Sequence, residues 1–71
     1  MEEFFLKCGI PINRIQYYID VSAKADLTVE SLAQFDSSKV EHIQLLVKCG
    51  YTEPIAVLAI INAKKQKGTF Y

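Results

Sequence analysis

A chain of 71 residues holds one domain, because so few residues cannot build a second core. Its 51% hydrophobic content predicts a folded domain and excludes a disordered segment. Eight acidic residues balance eight basic ones, and zero net charge excludes a polycation that coats nucleic acid without specificity.

The balance is uneven along the chain: residues 1–41 carry a net charge of −3 and residues 42–71 a net charge of +3. The Met1-Glu2-Glu3 start is unlike a signal peptide, and no apolar run approaches the roughly 18 residues that span a membrane. A cytoplasmic location with reduced Cys8 and Cys49 is therefore expected.

In chain order, a first helix is predicted over 2–8, with Glu2 and Glu3 suited to its positive dipole end. Gly9 ends it and Pro11 restarts the chain. A second helix is predicted over 12–25, with Ile12, Ile15, Ile19 and Ser22 or Ala23 at helical spacing and Tyr18 beside them. Asp20 and Lys24 stand four apart and suit a weak ion pair.

Thr28 is the expected N-cap of a short helix over 29–35. Ser38 followed by Glu41 reads as a capping box that opens a fourth helix over 39–49, with Val40, Ile43, Leu46 and Val47 on its core face. Gly50 ends that helix. Thr52 is then expected to cap a fifth over 53–66, carrying apolar Ile55, Leu58, Ala59 and Ile61. Lys64, Lys65 and Lys67 stand at its negative dipole end.

Two stretches repeat. Phe5-Leu6-Lys7-Cys8-Gly9-Ile10 resembles Leu46-Val47-Lys48-Cys49-Gly50-Tyr51 at an offset of 41. Ile15, Tyr18, Ile19, Ala23 and Lys24 match Ile55, Leu58, Ala59, Ala63 and Lys64 at an offset of 40. The expected fold is all-α: a compact bundle of four to five short helices containing two similar helix–turn–helix hairpins, about 2–25 and 39–67. Two copies are too few for a solenoid.

Catalytic and metal chemistry find little support. Two isolated cysteines and one histidine, His42, make a poor ligand set. Both cysteines sit in the last helical turn before a glycine, where the dipole disfavours a thiolate. The carboxylates are scattered near helix starts and loops, where capping and solubility would place them. Gly9, Gly50 and Gly68 stand alone, so there is no phosphate-cradling loop. A non-enzyme without cofactor, metal or small-molecule substrate is expected.

The aromatic residues are more informative. Tyr17 and Tyr18 are adjacent, so one of them must lie at an edge or in solvent. Phe70 and Tyr71 follow the lysine cluster, a combination that suits either phosphate contact with base stacking or a tail folded back on the core.

From Glu3 through Cys8-Gly9-Ile10-Pro11 to Asn13-Arg14-Ile15-Gln16-Tyr17-Tyr18, the chain resembles the opening of MerR-type and excisionase-like winged helix–turn–helix domains. Phe35-Asp36-Ser37-Ser38 and Gly50-Tyr51-Thr52-Glu53-Pro54-Ile55 are similar to that family's second helical pair. The segment from Cys49-Gly50-Tyr51-Thr52 to Lys67-Gly68-Thr69-Phe70-Tyr71 also looks like small helical proteins of conjugative elements. The Gly50-Tyr51 turn is similar to the partner-binding loop of ubiquitin-associated domains. The chain departs from the MerR pattern in having Gln16 where a second arginine is usual, and Lys24 as the single cation in 21–34.

The resemblance implies a small DNA-binding or accessory regulator, of the kind carried by mobile elements or phages. Asn13, Arg14 and Gln16 would face base edges. Tyr17, Lys24, Lys64, Lys65 and Lys67 would meet phosphate. So few cations imply a homodimer or a second partner. The alternative is a protein-interaction module, an adaptor or inhibitor, that binds a regulatory protein through exposed Ile10 and Tyr51 beside the glycine turns.

Overall fold

The computed structural model describes residues 1–67. The chain forms α1 (Glu2–Lys7), α2 (Ile12–Lys24), α3 (Val29–Ala33), α4 (Val40–Cys49) and α5 (Glu53–Lys67), with no strand among the described residues. The fold is a small all-α bundle, as the periodicity predicts. Helix α5 packs against α1, α3 and α4, and α1 also packs against α2. The radius of gyration, 11.0 Å, matches the roughly 11 Å expected of a compact chain of this length.

Each helix end has a local cause. At the end of α1, Gly9 N–H donates to Leu6 O and Ile10 N–H to Phe5 O, with Gly9 at φ +86. At the end of α4, Gly50 N–H donates to Val47 O and Tyr51 N–H to Leu46 O, with Gly50 at φ +121. Both are Schellman turns, so the two matched sequence stretches end their helices in one way. The chain turns through 109° between α4 and α5, across a three-residue turn containing glycine. That is the geometry of a helix–turn–helix unit.

Thr28 caps α3 as expected, its Oγ1 accepting from Ser31 N–H at 3.1 Å. The predicted capping box does not form. Ser38 donates both its N–H and its hydroxyl to Asp36 Oδ1, at 2.9 and 2.7 Å, so the hydroxyl points away from the helix it was to cap. Lys39 occupies the N-cap position without a side-chain bond. Helix α3 also stops at Ala33, two residues before the predicted end. The Asp36 N–H then donates to His42 Nδ1 at 2.8 Å, and the imidazole stands edge-on to Phe35.

The core holds Phe4, Phe5, Cys8, Ile10, Ile15, Tyr18, Leu32, Ile43, Leu46, Tyr51, Ala56, Ala59, Ile60 and Ala63. Its centre is aromatic: the Phe5, Tyr18 and Tyr51 rings lie 5.4–6.4 Å apart by centroid. Ser22 is buried and bonds the Tyr51 hydroxyl at 2.7 Å, which satisfies both polar groups.

Several of the apolar residues at helical spacing lie outside the core. Ile12 and Val40 are 73% and 70% exposed, each the first residue of its helix, where the chain is still arriving from a turn. On α5, Leu58 and Ile61 are exposed, while Ala56, Ala59, Ile60 and Ala63 face inward. The reason is steric: three alanines on one face let the neighbouring helices approach α5 closely, and leucine there would overfill the gap.

A candidate nucleic-acid interface on helix α2

Helix α2 buries Ile15, Tyr18 and Ser22 and turns its opposite side to solvent. Asn13, Arg14, Gln16, Asp20 and Lys24 are all exposed, and Tyr17 is half exposed. Asn13 and Gln16 stand one turn apart at the beginning of the helix, directly after the Gly9–Pro11 turn. The N-terminal part of a recognition helix is the part that reaches base edges. Asn13, Arg14 and Tyr17 share a groove with Gly50 and Thr52 of the second hairpin.

Three side chains of this face, Gln16, Asp20 and Tyr17, already have partners. Gln16 Nε2 donates to Asp20 Oδ1 at 2.9 Å, which occupies Asp20 in place of the expected pair with Lys24. The Tyr17 hydroxyl donates to Gly50 O at 2.7 Å. Of the adjacent tyrosines, Tyr18 is therefore the core residue and Tyr17 the edge residue.

The lysine cluster is divided. Lys64 Nζ donates to Ala33 O at 2.8 Å, covering the last carbonyl of α3. Lys67 pairs with Glu30 at 3.1 Å. Lys65 instead faces the α1 side, in a groove with Lys7, Phe4 and Asn62. The cluster thus divides between two sides of α5: Lys64 and Lys67 hold α3 in place, and Lys65 faces α1. The Phe70–Tyr71 tail lies outside the described residues.

Ile10 and Tyr51 are each 3% exposed, which corrects the expectation that they form an accessible binding surface. Each is the apolar residue that follows a left-handed glycine, and in a Schellman turn that residue packs back on the helix. Among the described residues, the exposed large apolar side chains are instead Met1, Leu6, Ile12, Tyr17, Val40, Leu45, Leu58 and Ile61.

Cys8 is buried and Cys49 half-buried, and both are free thiols. Burial pushes the Cys8 thiol up to about 11, which suits a packing residue and not a nucleophile. Asp36 is held below the usual carboxylate range by its hydrogen bonds from Ser38, with Lys39 and His42 adding to the effect. Among the described residues, no group of three or more His, Cys, Asp or Glu is placed to hold a metal ion. No single described helix is long and apolar enough to cross a membrane. No family model matches the chain, and no curated protein or solved structure is detectably similar to it.

Proposed function

We propose that this chain is a small, non-enzymatic helix–turn–helix regulator that lays α2 in the major groove of duplex DNA. The observation that carries the reading is the exposed start of α2. Asn13, Arg14 and Gln16 face solvent immediately after a glycine turn. Asn and Gln pair with adenine edges and Arg with guanine. Gln16 exchanges Asp20 for a base edge on docking. Lys24 and Lys65 meet phosphate, and Lys64 and Lys67 join them only when they release α3. Two phosphate contacts give a salt slope of about −2, shallow for a DNA-binding protein. A second copy or a partner protein then supplies the remaining affinity.

The test is fluorescence anisotropy of a labelled mixed-sequence duplex at low and moderate salt. Saturable binding that weakens with salt is expected. Arg14→Ala is expected to weaken binding to the specific site by about 1–3 kcal/mol. No binding at high micromolar protein and low salt would rule the reading out.

One observation favours a second reading, a protein-interaction module. Leu58 and Ile61 are exposed one turn apart on α5, and Val40 and Leu45 are exposed on α4. Apolar surface of this kind fits a partner helix. Retention of a partner by wild type but not by Leu58→Ser would select that reading.

A further inference from the structure

Tyr17 lies among the base-reading residues of α2, and its residue type suits phosphate contact. Its geometry does not. A tyrosine hydroxyl carries one proton, and here that proton goes to Gly50 O at 2.7 Å. Phosphate oxygens only accept hydrogen bonds, so Tyr17 cannot donate to one while the Gly50 bond stands.

The bond belongs to a close contact. A Cβ built on Gly50 would lie 2.9 Å from Val21 Cγ1 and 3.1 Å from the Tyr17 hydroxyl oxygen. The turn of the second hairpin therefore sits flush against one turn of α2. The Tyr17 ring stands edge-on to Tyr18 at 5.0 Å, and Tyr18 stands edge-on to Tyr51 at 5.4 Å. Tyr51 is the residue after Gly50, so the chain of contacts closes on the same turn.

Resting on the reading of α2 as the DNA-docking helix, we infer that Tyr17 is a positioning residue. It clamps α2 to the Gly50 turn and so fixes the angle at which Asn13 and Arg14 are presented. Gly50 is the residue type that the clamp requires, because any side chain would push α2 away. Whatever moves the Gly50 turn also turns the reading helix, so the second hairpin controls the first.

The experiment compares wild type, Tyr17→Phe and Lys24→Ala in the anisotropy titration across a salt series. Amide hydrogen exchange is measured on the free proteins. Tyr17→Phe is expected to weaken DNA binding about 2- to 10-fold, the loss of one hydrogen bond, with the salt slope unchanged. Lys24→Ala is expected to reduce the slope by about one, as a lost phosphate contact does. Exchange at the Gly50 and Tyr51 amides is expected to quicken in Tyr17→Phe while that of α5 stays as in wild type.

A slope reduced by about one in Tyr17→Phe would make Tyr17 a phosphate contact and overturn the inference. Unchanged affinity would overturn it too. If wild type binds no DNA, the proposed function falls, and exchange alone decides the clamp: unchanged exchange at Gly50 and Tyr51 removes it.

Discussion

Among the described residues, three carry a left-handed backbone: Gly9, Asp26 and Gly50. Each ends a helix with the same two hydrogen bonds, since Asp26 N–H donates to Ala23 O and Leu27 N–H to Ser22 O. Their tolerance of a side chain differs. A Cβ on Gly9 meets nothing within 4 Å, so Gly9→Ala is expected to cost only backbone strain, about 1–2 kcal/mol. Gly50→Ala adds the collision with Val21 and Tyr17 and is expected to cost about 2–4 kcal/mol. Urea denaturation of the two variants reads the difference, and equal losses would refute the close packing at Gly50. Asp26→Gly runs the other way. It relieves a strained φ of +56 and removes a carboxylate from a helix C-terminus, so a gain of about 0.5–1 kcal/mol is expected in the same assay. The two glycine turns were legible because glycine announces a left-handed residue. The third was not, because aspartate at that position has many other uses.

At the scale of the helices, α5 shows where the sequence misleads. The match of Ile15 and Tyr18 to Ile55 and Leu58 suggests that both repeats bury one face. They do not: α2 buries Ile15, Tyr18 and Ser22, while α5 buries Ala56, Ala59, Ile60 and Ala63, about a quarter-turn around the helix. Helix α2 packs against α1 and the Gly50 turn, whereas α5 is packed by α1, α3 and α4. Apolar residues occur on every side of α5, so periodicity alone could not select its inner face. The helices themselves were legible, because caps, glycines and Pro11 mark their ends. The register of α5 depends on partners distant in sequence. The two registers predict opposite outcomes for a pair of variants. Ile60 is fully buried, so Ile60→Ala is expected to cost about 2–5 kcal/mol. Leu58 is 40% exposed, so Leu58→Ala is expected to cost under about 1.5 kcal/mol. A larger loss at Leu58 than at Ile60 would reverse the assignment.

For the molecule as a whole, the candidate site was legible only in part. Asn13, Arg14 and Gln16 stand out as exposed polar residues on a helix start. The Tyr17–Gly50 bond spans 33 positions, and no local pattern encodes it. The same joining of the hairpins governs how stability depends on pH. Cys8 and Tyr51, the one from the first hairpin and the other from the second, are both buried in the shared core. Burial raises the Cys8 thiol from 9.0 to about 11. It also raises the Tyr51 hydroxyl above 10.0, with the Ser22 hydrogen bond opposing the shift. Both groups are neutral below these values, so the folded and unfolded chains hold the same protons at neutral pH. Above about pH 9 the unfolded chain gives up the Cys8 proton first, and the folded state then binds more protons than the unfolded one. Stability must fall as pH rises through that window. The urea midpoint is expected to hold steady from pH 7 to 8.5 and to drop from about pH 9 to 11. Cys8→Ala lowers the midpoint at neutral pH by leaving a small cavity, but flattens the alkaline decline because the titrating thiol is gone. A decline equally steep in Cys8→Ala would place its origin elsewhere, with Tyr51 the next group to remove, as Tyr51→Phe.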